Sequence, residues 1–255
     1  MKYFALLYCL LFLIFSAFTE SRYTYSLEKE ILLGTLALGV SIPSLFIPDS
    51  PGKDISSDKN RVNAFDRNLM FSYSKPLGIA GDVAVYGLAV SPIISLIGNI
   101  TDLNAVVTYT IMYGEAMLLT FGTTEIIKKV SGRNRPYTYF DGLPAGLEKD
   151  YYKSFPSRHT AIAFMSAGFL SSTFFMEYPD SAWKIPVIAG SYGLAAGIGA
   201  LRIASGNHFL TDVLAGAAIG SLYGWLIPFL HLRKKDIDSF AVTLTAHGFL
   251  LNLRL

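Results

Sequence analysis

Three islands of polar residues interrupt an apolar stretch between Lys128 and Asp212. The first reads Lys128-Lys129-Val130-Ser131-Gly132-Arg133-Asn134-Arg135-Pro136, and the second Pro156-Ser157-Arg158-His159-Thr160. The third runs from Arg202 through Gly206 and His208 to Asp212. Together they supply cations, a hydroxyl, two histidines and a carboxylate. Displacement at phosphorus spreads negative charge over the equatorial oxygens, and fixed cations aimed at those oxygens lower the barrier. Lys128, Arg135 and Arg202 are the candidate cations, since arginine offers a planar donor fork matched to phosphate and lysine a point charge. A neutral imidazole can attack phosphorus, and a protonated one can hand a proton to the leaving alkoxide. His208 and Asp212 are spaced i, i+4 and share a face if a helix begins there. A carboxylate so placed could orient the imidazole and support its charged form.

Taken singly, each residue has a plainer reading. A cation at the end of an apolar run is a common membrane-boundary residue, and His159 could simply start a helix capped by Ser157. It is the company of two of the four histidines with these cations that favours chemistry. His231 and His247 have no such company in the sequence and are read as ordinary interfacial residues. A metal is not expected at the islands. The chain has neither HExxH nor a Cys/His cluster, and cations crowd both histidines. No Gly-rich nucleotide loop is present, so no cofactor is expected.

The elements that must position these islands are apolar. Of 255 residues, 52% are hydrophobic and only 16% charged, where a soluble domain carries about a quarter charged residues. The net charge of +2 and the lack of a basic run argue against nucleic acid as a partner. A single cysteine, Cys9, excludes an intramolecular disulfide. Residues 1–21 read as a signal peptide or N-terminal anchor: Lys2, an apolar run from Tyr3 to Phe15, then Ser16-Ala17-Phe18-Thr19. Residues 48–76 form a polar connector. The span candidates are Leu77 to Ile100, Ala105 to about Ile127, Ala161 to about Phe175, Ile185 to Leu201 and Leu210 to His231. Ile31 to Ile47 is apolar but carries Pro43. Glycines at 193, 197, 199, 216, 220 and 224 suit close helix packing in lipid. Asp82, Glu115 and Glu125 fall within spans, where ionisable groups are costly and often functional; Glu125 is placed to pair with Lys128. The tail, 236–255, alternates in a way that fits a short hairpin.

Arg233, Lys234 and Lys235 after the last span favour the cytoplasmic side, which puts His208 and, by alternate crossings, Arg135 and His159 on the outer side. If the signal is cleaved, that count requires 31–47 to lie on or partly in the membrane rather than cross it.

The islands resemble the three-part signature of the type 2 phosphatidic acid phosphatase (PAP2) superfamily: KxxxxxxRP, PSxH and RxxxxxHxxxD, matched at Lys128 to Arg135-Pro136, Pro156-Ser157-x-His159, and Arg202 to His208 to Asp212. The resemblance covers about a third of the chain. It implies an all-α, polytopic transmembrane bundle of about five or six membrane helices over residues 22–235. It also implies a bacterial inner-membrane protein with its site facing the periplasm, and a metal-free phosphohistidine mechanism. Carried over, His208 is the nucleophile, Asp212 orients it, and His159 is the general acid. Lys128, Arg135 and Arg202 hold the phosphoryl oxygens, helped by the hydroxyl and N–H of Ser157. Two positions depart from the family: Arg158 stands where Gly is usual and either adds a cation at the pocket rim or points to solvent, and Leu201 replaces a frequent Ser. The substrate implied is a membrane lipid phosphate or pyrophosphate: undecaprenyl pyrophosphate, phosphatidylglycerol phosphate, phosphatidate or lipid A phosphate. A lipid phosphoryl transferase and a vanadate-dependent haloperoxidase-like protein are the alternatives. Oligomeric state is not readable from the sequence.

Overall fold

Hydrophobic length sets the architecture. The computed structural model describes residues 21–50, 55, 58–96 and 102–233, with the backbone of 240–245 and 248–253; residues 1–20, nearly all of the expected signal, lie outside the described residues. The helices are α1 (Leu27–Phe46), α2 (Ala64–Arg67), α3 (Lys75–Ala89), α4 (Ile93–Leu96), α5 (Leu103–Ser131), α6 (Arg158–Glu177), α7 (Lys184–Ala204) and α8 (Leu210–Leu230). Five stretches among them are long and apolar enough to cross a membrane: Leu27–Phe46, Lys75–Leu96, Leu103–Tyr139, Lys184–Ala204 and Leu210–Leu230. α6 runs through their middle and is buried over most of its length. In the tail, β1 (Phe240–Thr245) pairs antiparallel with β2 (Gly248–Leu253), Thr245 opposite Gly248. The body of the protein is an all-helical bundle.

The bundle is inside-out relative to a water-soluble one. Ser41, Ser44, Thr120, Thr124, Ser166, Ser171, Ser172 and Thr173 are buried, while Leu32, Ile31, Val83, Tyr86, Ile185 and Leu194 are exposed. A lipid-facing bundle needs this arrangement: its outer face is apolar, and its hydroxyls must bond inward. Thr124 Oγ1 donates to Thr120 O at 2.8 Å and Thr173 Oγ1 to Phe169 O at 2.7 Å.

Small residues decide which helices touch. Gly216, Gly220 and Gly224 recur every turn along α8, and a Cβ at each would overlap the carbonyl oxygens of Ser157, Ala161 and Met165 on α6. Only glycine permits that backbone approach. Gly199 of α7 faces side chains instead, those of Val213 and Thr160, and Gly193 and Gly197 have nothing within 4 Å. Gly122 of α5 lies against the backbone of Ser41, seating α1 along α5.

One expectation needs correction and another a refinement. The stretch 31–47 is part of α1, which spans the full bundle: Glu30 near its start contacts His231 at one end, and Ser50 just past it donates to Lys129 O at the other. Residues 21–25 pair with 231–233, through Thr24 N–H to His231 O and Arg233 N–H to Arg22 O. The described chain therefore starts at the end away from the islands, so α1 must cross to deliver the connector to them. The expected span Leu77 to Ile100 is found as the apolar stretch Lys75–Leu96, with residues 97–100 outside the described residues, but it is divided into two helices. It breaks after Ala89, where Pro92, lacking an N–H, cannot continue α3.

Candidate active site

All three islands meet at one end of the bundle because each sits at a helix terminus. Lys128 closes α5, where Gly132 takes the left-handed φ of 50° that ends the helix. Ser157 starts α6, its hydroxyl accepting from the Thr160 N–H. Arg202 lies in the last turn of α7. Gly206, with φ of 71°, turns the chain beneath the carbonyls of Phe71 and Ser72 and brings His208 back toward the other islands. Asp212 occupies the first turn of α8, and its Oδ2 accepts the Phe209 N–H at 2.8 Å, as an N-terminal carboxylate should.

A cavity of about 120 Å³ at this end is lined by Lys128, Arg135, Arg158, His159 and His208, together with Glu125, Asp150 and Lys153. Two of the three predicted phosphate-binding cations, Lys128 and Arg135, thus share one small polar space with both histidines. Arg135 is held at the wall by its Nε to Asp150 O (2.9 Å) and its Nη1 to Asn207 Oδ1 (2.8 Å). Lys128 is buried, its ammonium donating to Lys153 O and Pro156 O, each at 2.8 Å. Those two carbonyls aim the charge and fix the loop between the first two islands.

His208 is 2% exposed, and its Nδ1 lies 2.7 Å from the carbonyl oxygen of Ser154. A carbonyl can only accept, so this contact puts the proton on Nδ1 and leaves Nε2 with a lone pair. Burial first, then the charges of Arg135, Lys128 and Arg202, hold the imidazole well below its ordinary range. It is therefore neutral, the form that can attack phosphorus.

Asp212 supports His208 less directly than the i, i+4 spacing suggests. Helix α8 begins at Leu210, so His208 precedes it, and Asp212 Oδ2 comes only within 3.6 Å of Nδ1. The carboxylate instead accepts from the Ser154 hydroxyl and from Arg133 Nη1. Asp212 thus holds Ser154, and Ser154 holds the imidazole.

Ser157 also departs from expectation. It is fully buried, its hydroxyl pairs with Thr160 Oγ1 at 2.8 Å, and its N–H donates to Asp212 O at 2.9 Å. Both donors serve to start α6 and tie it to α8, and Ser157 does not line the cavity. Arg202 is buried behind the lining residues, with Nη1 donating to Asp82 Oδ1 (2.9 Å) and Gly78 O (3.2 Å). The same Asp82 oxygen lies 3.1 Å from His159 Nε2. Glu125 pairs with Arg158 at 2.9 Å rather than with Lys128, because the backbone carbonyls already claim the ammonium. Arg158 is therefore a neutralised cation on the cavity wall rather than a side chain in solvent.

Three supporting residues carry no assignment from the sequence. Arg133 belongs to the first island but stands at a variable place of its pattern. Its guanidinium bridges Asp212 and Asp66 (2.7 Å to Asp66) and lies 4.2 Å over the Phe209 ring. Asp66, fully buried on α2, accepts from Thr211 N–H (2.9 Å), Thr211 Oγ1 (2.7 Å) and Asn63 Nδ2 (2.7 Å). Nothing in the connector sequence singles it out. Asp82 is flagged only as a charge within an apolar helix.

The PAP2 superfamily model matches residues 109–236, which contain every island residue. The chain is 29% identical to the bacitracin transport permease protein BcrC of Bacillus licheniformis, over 58% of this chain and 70% of that one. It is 39% identical to the lipid A 1-phosphatase of Porphyromonas gingivalis, over 43% of this chain but only 21% of that protein. Among solved structures, a transmembrane PAP2-type phosphatidylglycerolphosphate phosphatase from Bacillus subtilis aligns over 82% of this chain and 96% of its own, at 24% identity and a TM-score of 0.43. With its signature residues gathered at one end of a membrane bundle and the superfamily model matching half its length, this chain belongs to the PAP2 superfamily.

Proposed function

We propose that the protein hydrolyses a lipid phosphate or pyrophosphate through a phosphohistidine on His208, without a metal. The observation that carries this reading is the neutral, buried His208, its Nδ1 fixed by Ser154 O, on the wall of a cavity that also holds Lys128, Arg135 and His159. Nε2 attacks phosphorus as the leaving oxygen departs in line. Lys128 and Arg135 neutralise the equatorial oxygens, and Arg202 joins them when the incoming anion draws its guanidinium from Asp82.

His159 then protonates the leaving alkoxide. It stands at the polar start of α6, ahead of the apolar run. Burial, followed by the charges of Arg202, Arg158, Arg135 and Lys128, pushes its imidazole down to about 3. It therefore takes up a proton only when a phosphate dianion enters and offsets those cations. Water activated by the same imidazole returns phosphate and free His208 in the second half-reaction.

The family and the printed names of the relatives support a lipid phosphate as substrate. The candidates are undecaprenyl pyrophosphate, phosphatidylglycerol phosphate, phosphatidate and lipid A phosphate. We place the protein in a bacterial inner membrane with the cavity facing the periplasm, because Arg233 follows α8 at the opposite end and two lysines come directly after it in the sequence. The test is phosphate release by detergent-purified protein on those four lipids with EDTA present. Wild type should release phosphate, and His208→Ala should lose activity by more than roughly a thousandfold. Retention of activity in His208→Ala would refute the mechanism, as would abolition of activity by EDTA in protein whose melting temperature EDTA leaves unchanged. Transfer of the phosphoryl group to an added alcohol in place of water would identify a transferase.

A further inference from the structure

A second cluster of ionisable groups lies at the end of the bundle opposite the cavity, and it differs in charge from the active site. Glu30 of α1, Glu115 of α5 and His231, the residue closing α8, bring one ligand atom each to within 4.8 Å of one another. The His231 ring is 0% exposed by residue, Glu115 4%, and the Glu30 side chain 9%. His231 Nδ1 lies 2.9 Å from Ile227 O, so that nitrogen carries the proton. Nε2 faces the two carboxylates, 3.1 Å from Glu30 Oε2 and 3.6 Å from Glu115 Oε2.

Protons alone leave this arrangement short of donors. A neutral His231 turns a lone pair toward two carboxyl groups; a proton on Glu30 could reach it at 3.1 Å, but one on Glu115 stands 3.6 Å away, beyond hydrogen-bond reach, so Glu115 stays unpartnered either way. A charged one has a single N–H on that side, and Glu30 is nearer to it. Among the described residues Glu115 then has no hydrogen-bond donor for either oxygen, although both are buried. Lys29 is near enough for its charge to reach Glu115 but donates no hydrogen bond to it. An uncompensated carboxylate in a bundle interior is among the most costly arrangements a fold can hold.

A divalent cation resolves each of these features. Zinc binds imidazole nitrogen and carboxylate oxygen at about 2.0–2.2 Å, so tetrahedral neighbours stand roughly 3.3–3.5 Å apart. The distances of 3.1 and 3.6 Å from Nε2 bracket that edge. A metal-ligating histidine characteristically gives its other N–H to a backbone carbonyl, as His231 does to Ile227. We propose that Glu30, Glu115 and His231 form a Zn²⁺ site that pins α1, α5 and α8 together at the end of the bundle away from catalysis. Water completes the coordination from the Glu30 side, the least buried of the three. The ion takes no part in phosphate release. It fixes the packing of α1, the helix that delivers the connector bearing Asp66 to the active site.

The test uses the full chain, purified in detergent through a tag without histidine, stripped with a chelator and titrated with Zn²⁺. Bound metal is measured after gel filtration, and the melting temperature is followed in parallel. Wild type and His208→Ala should each bind one ion per chain and melt several degrees higher with it. Glu115→Gln and Glu30→Gln should each weaken binding by at least about a hundredfold, since even an outer partner of a ligand costs roughly 10–100-fold. Monodisperse elution and an unchanged helical signal show that a variant is folded; Glu30→Gln, at the more open edge, serves if Glu115→Gln is not. Failure of the wild type to bind Zn²⁺ would overturn the proposal. So would equal binding by wild type and a folded carboxamide variant, or loss of the ion from His208→Ala. The outcome is independent of whether the active site hydrolyses lipid phosphate.

Discussion

Replacing Gly220 with alanine separates helix propensity from helix packing, because the two effects have opposite signs. Alanine is favoured over glycine inside a helix by about 0.8–1.0 kcal/mol, so propensity alone stabilises the variant. At Gly220, however, the new Cβ would overlap Ala161 O and stand 2.8 Å from Met165 N. These are backbone atoms of the central helix and cannot swing aside as a side-chain tip can. Overpacking of this kind costs about 1–3 kcal/mol, so the variant should be less stable in spite of its better propensity. Placing that Cβ in ordinary contact requires the α6 and α8 backbones to part by about 1.5 Å, and misplacing catalytic groups by even about 1 Å can cost roughly 10²-fold in rate. His208 and Asp212 precede and begin α8 while His159 begins α6, so the displacement falls between the proposed nucleophile and the proposed general acid. The matched control is Gly197→Ala, where nothing lies within 4 Å and propensity should act alone. The assays are melting temperature in detergent and kcat/KM on the preferred lipid. Gly220→Ala should melt lower, at roughly 2–4 °C per kcal/mol for a chain of this size, and lose activity, while Gly197→Ala should melt at or above wild type. A Gly220→Ala protein as stable and active as Gly197→Ala would show that the stripe does not set the approach of α6 and α8.

The remaining predictions concern charge. Asp66→Asn should destabilise by about 2–4 kcal/mol, since it leaves the partly buried Arg133 facing one carboxylate instead of two; a melting temperature equal to wild type would remove Asp66 from the support of the site. Burial raises the Asp66 pKa, but hydrogen bonds from Thr211, Arg133 and Asn63 outweigh it and leave the group below 3.8. Its stabilisation should therefore be fully present above pH 3.8, fall as pH drops through the folded value, and vanish from the wild-type minus Asp66→Asn difference in acid melting curves. His208 has the same sign: its folded pKa is depressed below 6.5, so stability should decline as pH falls below 6.5, where the unfolded imidazole gains a proton that the buried one refuses. Comparison with His208→Ala should remove that part of the slope. Asp82→Asn should release Arg202 and lower the competition with anions, tightening inhibition by phosphate or vanadate. The Asp82 side chain is 46% exposed, so solvent screening limits the effect to about 1 kcal/mol, roughly fivefold.

The chemistry was legible in the sequence wherever it constrains residue type and spacing together. Lys128, Arg135, His159 and His208, singled out by residue type and spacing, share one cavity, and the long apolar runs around them form helices. What the sequence could not convey is pairing across long separations. Asp66 meets Thr211 across 145 positions and His231 meets Glu30 across 201, and neither contact leaves a local period or motif. The reading of 31–47 failed for a related reason: counting crossings from the N-terminus needed the side on which residue 21 lies, which is fixed by its pairing with 231–233. The glycines show the same limit. All six looked alike, and only the neighbouring helix distinguishes Gly220 from Gly197.

Asp212 illustrates how a correct placement can still give the wrong contact. Its spacing from His208 implies one face of one helix, yet Gly206 and the Phe209 turn bring His208 in ahead of α8. The carboxylate is spent on the Phe209 N–H, the Ser154 hydroxyl and Arg133. Each bond secures a different segment: the start of α8, the loop before α6, and the turn after α5. Those three segments carry one island each, so a single buried charge sets their mutual positions. The imidazole is then oriented by the Ser154 carbonyl, a neutral acceptor that fixes the tautomer without raising the basicity of Nε2 as a directly bonded carboxylate would. Burial and the surrounding cations keep His208 unprotonated and leave the positive charge of the cavity to face an incoming anion.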